Sequence, residues 1–331
     1  MTEQLIDKFN RVVDYVRISV TDRCDFRCVY CMAEDMVFAP RSEILTLEEI
    51  QLIAQAFVEL GVSKIRLTGG EPLVRKGITQ LVAGVSQLPG LNELNMTTNG
   101  SQLTQQAAAL KQGGLNRLNI SLDSLQPEKF KQLTRTGELQ TVLDGILYAQ
   151  AQGFDDIKIN SVILKGRNDD EILDLIEFIR AQQLGISFIE EMPLGEIEEH
   201  DRALTFMSSA EIREIIAQKY PLVASEETSG GPSRYWHFAD GHNSRVGFIS
   251  PHSHNFCGEC NRVRITAQGR LLLCLGNEHS IDLKTVVRHY PGELEPVKQA
   301  IREAMDLKPE RHHFDLGSEV QILRFMNSTG G

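Results

Sequence analysis

The sequence predicts an α/β protein: a parallel sheet built from six successive β-then-α units, followed by a smaller α+β segment. Two observations carry this reading. Short runs rich in β-branched residues alternate with helix-length amphipathic runs up to about residue 193, and past residue 235 the pattern changes to shorter strands and a hairpin. Six such units imply right-handed crossovers, arranged as an open sheet or as part of a (β/α) barrel.

The strands read in order as YVRISVT, KIRLTGG, ELNMTTNG, RLNISLDS, IKINSVIL and ISFIEEMP, each closed by Gly, Asn, Asp or Pro. Between them the clearest helix is TLEEIQLIAQAFVELG, where Thr46 and Glu49 suit a capping box and Gly61 ends the periodic run. DDEILDLIEFIRAQQLG is similar, with Gly185 as its expected stop. After the helix SSAEIREIIAQKY, the Gly-, Ser- and Pro-containing stretch SEETSGGPSRY, residues 225–235, is the expected linker. NRVRITAQGRLLLCL then reads as a hairpin and PVKQAIREAMDL as a final helix. Ligands of such sheets bind at the carboxyl ends of the strands. That directs attention to Thr21, Gly69 to Pro72, Thr97 to Gly100, Ser121 to Ser124, Lys158 with Asn160, and Glu190 to Met192.

The chain has 331 residues, 41% hydrophobic and 24% charged, which suits one large domain with a smaller appendage. No apolar run approaches the ~20 residues of a membrane helix, and the first residues lack a signal-peptide pattern, so a cytoplasmic protein without a membrane partner is expected. A net charge of -11 argues against broad nucleic-acid binding. A small anionic substrate stays open if basic residues gather in a pocket.

Six cysteines fall as two triplets, Cys24, Cys28, Cys31 and Cys257, Cys260, Cys274. In a reducing compartment such grouping favours metal ligation over disulfides. CDFRCVYC sets three sulfurs on one tight loop. Structural zinc and an iron-sulfur cluster both usually take four protein ligands, so either leaves one position vacant here. On a four-iron cluster that vacancy opens one iron to a ligand that is not protein. In the second triplet Cys274 returns across the hairpin towards Cys257 and Cys260, and His252 or His254 would be needed to complete a zinc site. Arg262 and Arg264 follow with period-two spacing on one strand face, and two guanidiniums beside a metal centre suit a phosphate-bearing ligand. A solvated strand face is the plainer alternative.

CDFRCVYC resembles the CxxxCxxC signature of the radical S-adenosylmethionine enzymes, and LTGGEP, residues 67–72, is similar to their GGEP motif. SPHSHNFCGECNRVR resembles the GTP 3',8-cyclases of molybdenum cofactor biosynthesis, the MoaA family. YVRISVTDRC, IRLTGGEPL, TTNG, NISLDSL, IKIN and the closing Gly330 and Gly331 match in the same order, so the resemblance spans essentially the whole chain.

That resemblance implies an incomplete (β/α)6 TIM-type barrel over residues 8–230, with a C-terminal α+β extension over 231–331 carrying a second iron-sulfur site. It implies two [4Fe-4S] clusters, S-adenosyl-L-methionine as cofactor and GTP as substrate. It also implies an electron donor and a downstream pterin-forming enzyme as partners; a homodimer is compatible with the sequence. Carried over residue by residue, Tyr30, Gly70, Ser121 and Met192 match cofactor-binding positions. Arg17, Arg66, Thr97, Lys158, Arg262 and Arg264 match GTP-binding positions. No residue is assigned as nucleophile or base. Plainer roles exist for each: the basic residues suit strand positions whose charges reach water, and Tyr30 and Met192 suit core packing. The GlyGly end is expected to thread into the active site. One departure stands out, Ser187 where a basic residue is expected in many relatives. The rival readings are a radical enzyme acting on a peptide and a non-catalytic metal-binding sensor.

Overall fold

The computed structural model describes residues 4–197, 201–312, 314 and 322–330. The six expected strands form as β1 (Tyr15–Ser19), β2 (Lys64–Thr68), β3 (Glu93–Thr98), β4 (Arg117–Ser121), β5 (Ile157–Val162) and β6 (Gly185–Ile189). The later part adds β7 (Leu222–Ala224), β8 (Arg234–Phe238), β9 (Arg245–Ile249), β10 (Arg262–Ile265), β11 (Arg270–Leu272) and β12 (Ser280–Asp282). Helices α1 (Leu47–Glu59), α2 (Ile78–Ser86), α3 (Leu103–Gln112), α4 (Pro127–Thr134), α5 (Leu139–Ala151) and α6 (Ile172–Ala181) follow the first five strands. They are succeeded by α7 (Arg202–Thr205), α8 (Ser209–Ala217), α9 (Leu283–His289), α10 (Leu294–Met305) and α11 (Met326–Thr329).

All twelve strands belong to one sheet in the order β12-β11-β10-β1-β2-β3-β4-β5-β6-β9-β8-β7. The eight from β10 to β9 run parallel, with an antiparallel pair added at each end. This is a parallel α/β sheet of the partial TIM-barrel type, extended at both edges by the C-terminal part of the chain. The order is linear, so the edges β12 and β7 are not paired with each other. Segment 225–233 is the loop of the β7–β8 hairpin, so the expected linker joins two strands of one sheet rather than two separate bodies.

Local chemistry explains the elements. Thr46 accepts from the Glu49 amide while Glu49 accepts from the Thr46 amide, a full capping box on α1, and Gly61 closes that helix at φ 91°. The stop after α6 differs from expectation. Gln183 takes the left-handed turn at φ 54°, and Gly185 already opens β6. The helix ends two residues early because the parallel partner of Gly185 is Lys158, whose register starts the strand there.

The core is apolar on the helix-facing side of the strands: Val16, Ile18, Ile65, Leu67, Leu94, Met96, Leu118, Ile120, Ile157 and Ile159 are all buried against the helices. The alternate positions are polar, running Tyr15, Arg17, Ser19 on β1, Lys64, Arg66, Thr68 on β2, Asn95 and Thr97 on β3, Arg117, Asn119, Ser121 on β4, and Lys158, Asn160 on β5. Barrel interiors are ordinarily packed with branched apolar side chains. A polar inner face is stable here only if it surrounds a cavity.

Candidate active site

That cavity exists. It holds about 2090 Å³ of empty space including its open mouth, and it is lined by Cys24, Cys28 and Cys31 together with Cys257, Cys260 and Cys274. Arg17, Arg66, Thr97, Lys158, Arg262 and Arg264 line it as well, as do Tyr30, Gly70, Ser121 and Met192. Both cysteine triplets and every residue matched to a cofactor- or GTP-binding position therefore border one space.

The first triplet sits on the loop leaving β1. Gly70 donates its amide to the Thr21 carbonyl at 2.8 Å and Glu71 to the Arg23 carbonyl at 2.8 Å, so the glycine turn after β2 lies directly on the backbone that feeds the cysteines. A Cβ at Gly69 would stand 2.4 Å from Thr21 O, and one at Gly70 would stand 2.3 Å from Arg23 O. The glycines are thus required by close approach of the cysteine loop. The Glu71 carboxylate ties the turn down, accepting from the Leu73 and Asn99 amides and the Thr98 hydroxyl. Burial pushes that carboxyl up to about 8 against the three donors.

Asn99 and Ser101, in the turn after β3, donate to Asp25 between the first two cysteines at 2.7 and 2.6 Å. Tyr30 donates to Asp123 at 2.6 Å, and Asp123 also accepts the Val162 amide, which anchors the loop across to β4 and β5. Burial lifts Asp123 to about 6 and Cys31 to about 12, and it raises the Cys24 and Cys28 thiols as well. Such thiols need a positive centre to exist as thiolates.

The second triplet is placed by pairing that sequence distance conceals. β10 runs parallel beside β1, setting Tyr15 against Arg262 and Arg17 against Arg264. Around Cys260 the balance is reversed: burial raises the thiol, but Arg262 and Lys308 outweigh it and bring it to about 7. Among the described residues no three Cys, His, Asp or Glu side chains converge closely enough to hold a single metal ion. His252 does not turn to the thiols. Its Nε2 lies 2.9 Å from the Glu191 carbonyl and its ring packs on Phe206 and Phe314. The three thiols of the first loop fit a four-iron cluster with one open iron, and at the second triplet His252 is engaged elsewhere and does not supply the fourth ligand a zinc site usually takes.

Between the triplets lies a cationic floor. Arg17, Arg66 and Lys158 lie within their strands and are buried, so their charges do not reach open water as the plainer reading would have it. None of Arg17, Arg66, Lys158, Arg262 and Arg264 forms an ion pair among the described residues, whereas Lys64 pairs with Glu93 and Arg117 with Asp156. The Nε atoms of Arg17 and Arg66, the Tyr15 hydroxyl, and Oδ1 of Asn95, Asn119 and Asn160 are buried without a hydrogen-bond partner in the structure. Buried cations and orphaned polar atoms on this scale are costly unless a ligand completes them. A polyanion carrying a polar ring system would.

Ser187 replaces the expected basic residue on β6 and is wholly buried, its hydroxyl 2.9 Å from that of Ser233. Gly330 reaches the cavity wall: Arg264 donates to its carbonyl at 2.8 Å. α11 is held over the first cysteine loop, with the Met326 amide on the Cys31 carbonyl and Asn327 on the Asp22 carbonyl. Gly331 lies outside the described residues.

Sequence reasoning passed over Tyr15, Lys64, Arg117, Asn119 and Tyr235, which share the inner face or its rim. The signal was present as strict polar–apolar alternation in strands expected to be buried on both sides.

Lys158 yields a pH prediction. Burial lowers its ammonium to about 8, helped by nearby Arg66 and Arg117 and opposed by Tyr235. An anionic substrate needs the charged form, so kcat/KM for that substrate should fall as pH rises through about 8. Lys158→Arg should remove that limb of the profile.

A parallel α/β sheet with three thiols on the loop after β1, locked to a GlyGlyGluPro turn after β2, defines a radical S-adenosylmethionine enzyme, a class that carries a [4Fe-4S] cluster. Residues 18–179 match the family described as Radical SAM superfamily, and residues 184–314 match Molybdenum Cofactor Synthesis C. The chain is 62% identical over 329 residues to a GTP 3',8-cyclase of Pseudomonas entomophila (strain L48), covering 99% of this chain and 98% of that protein. It is also 62% identical over 328 residues to a GTP 3',8-cyclase of Marinobacter nauticus (strain ATCC 700491 / DSM 11845 / VT8), covering 99% of each. The chain belongs to the GTP 3',8-cyclase family. Among solved structures, Streptococcus suis SuiB bound to its precursor peptide superposes with a TM-score of 0.59 at 17% identity, over 89% of this chain and 68% of that one, which is a likeness of fold. No helix among the described residues is long and apolar enough to cross a membrane.

Proposed function

We propose that this chain converts GTP to (8S)-3',8-cyclo-7,8-dihydroguanosine 5'-triphosphate, the first step of molybdenum cofactor biosynthesis, with cofactor and substrate held at opposite ends of one cavity. The observation that carries the reading is the set of buried, unpaired cations lying between two three-cysteine sites. Cys24, Cys28 and Cys31 would hold a [4Fe-4S] cluster with S-adenosylmethionine; Cys257, Cys260 and Cys274 would hold a second one facing the guanine. When bound, the first cluster and its cofactor would supply a 5'-deoxyadenosyl radical to take hydrogen from the ribose C3', and bonding of C3' to guanine C8 would then be completed by one further electron from the external reductant and a proton from solvent.

The chain's own part is positioning and exclusion of water. Arg17, Arg66, Arg262 and Arg264 present forked donors to the triphosphate, and Lys158 adds a point charge. The hydroxyl of Thr97, 3.4 Å from Nη1 of Arg66, fixes that guanidinium. At the cofactor end Tyr30 holds its loop through Asp123, Gly70 lets the backbone approach, and Ser121 and Met192 border the adenosyl side. Gly330 narrows the substrate end without a side chain. The loss of a charge at Ser187 removes one contact and leaves the remaining cations in place. An electron donor must reduce the first cluster, and a pterin-forming enzyme would consume the product.

The test is an anaerobic assay of reconstituted protein with S-adenosylmethionine, dithionite and each nucleoside triphosphate in turn. Cyclised product with GTP alone is expected. Cofactor cleavage without a nucleotide product would move the search to other substrates.

A further inference from the structure

Lys308, in the turn after α10, is one of the largest fully buried side chains in the protein, at 1% exposure. Its Nζ donates to the Leu273 carbonyl at 3.1 Å and lies 3.6 Å from Sγ of Cys260. It has no ion pair with a carboxylate among the described residues. Removing an ammonium from water is costly unless an anion stands beside it. Among the described residues, the group in contact with Nζ that can carry negative charge is the Cys260 sulfur, and the same ammonium also favours the charged forms of Cys257 and Cys274.

The surrounding loop is built to keep it there. Arg11 donates to the carbonyls of Cys257, Glu310 and Pro309, each at 2.7 Å, strapping the turn that carries Lys308 onto the turn that carries two of the thiols. Arg11 is itself neutralised by Asp7. Lys308 has no such carboxylate, and its second bond goes to the residue before Cys274. One ammonium thus spans the chain around two of the three thiols.

We infer that Lys308 is a positioning residue of the second cysteine site, fixing Cys260 relative to Cys274 and compensating the negative charge of what they bind. This rests on reading the triplet as the seat of an iron-sulfur cluster. A cation donating to a ligand sulfur stabilises the electron-rich state, so it raises the potential at which that cluster accepts an electron.

The experiment compares anaerobically reconstituted wild-type protein with Lys308→Met and Lys308→Arg, reading iron and sulfide content and a dithionite redox titration followed by electron paramagnetic resonance. Lys308→Met should shift the second cluster's midpoint to more negative values, or lose that cluster's iron, with the first cluster's signal unchanged. Lys308→Arg should stay close to wild type. An unchanged midpoint and iron content in Lys308→Met overturns the inference, as does an equal shift in both variants. If Lys308→Met fails to fold by circular dichroism, Lys308→Gln takes its place under the same criteria. Wild-type protein holding only one cluster's iron would remove the two-cluster reading before any variant is compared, and the inference with it.

Discussion

Gly330→Ala lowers GTP cyclisation by about 10²-fold or more, the scale expected when a reacting partner is misplaced by roughly an ångström, while both clusters still assemble. Gly330 has φ 67°, where an L side chain is strained, and an added Cβ would stand 2.0 Å from Oγ1 of Thr68 and 2.7 Å from the Gly69 amide. Thr68 closes β2 and Gly69 opens the turn that seats the first cysteine loop, so neither yields. The tail must withdraw instead. Arg264 then loses its carbonyl partner and swings, which disturbs the substrate end without touching any thiol. Product formation and cofactor cleavage measured together check this: cleavage should continue, uncoupled from product. Cyclisation by Gly330→Ala at the wild-type rate would show that the tail's path into the cavity is incidental.

Cys274→Ser has an effect of similar size by a different route. A serine hydroxyl is a poor ligand for iron, so the second site falls to two thiols while the first triplet, on a separate loop, is intact. Iron content should fall to that of one four-iron cluster, cofactor cleavage should persist, and GTP turnover should drop by about 10²-fold or more. Cys274→Ser turning over GTP at the wild-type rate would refute the assignment of the second site.

The six strands, the capping box of α1 and both cysteine triplets were legible because each rests on local chemistry: β-branched runs, an i to i+3 reciprocal bond, ligand spacing. The placement of β10 beside β1 was not, because nothing local records that Arg262 will face Tyr15 across 247 positions of chain. For the same reason the loop at 225–233 looked like a linker: its Gly, Ser and Pro content is equally that of a hairpin. Gly185 was misread because a left-handed Gln183 ended the helix, a conformation uncommon for a non-glycine residue and so not signalled by the sequence. Lys158 was read as ending its strand, yet it is the second residue of β5 and part of the buried floor. Lys308 gave no signal at all. A lysine after an amphipathic helix reads as solvated, and only the fold reveals its burial.

The central claim is that one cavity has two ends, cofactor on the first triplet and substrate on the second. The most direct measurement is electron paramagnetic resonance of dithionite-reduced protein titrated separately with S-adenosylmethionine and GTP, with Cys28→Ser and Cys274→Ser used to assign the two signals. The prediction is that S-adenosylmethionine perturbs only the signal lost in Cys28→Ser, and GTP only the signal lost in Cys274→Ser. GTP perturbing the first signal, or leaving both unchanged while binding, would contradict it.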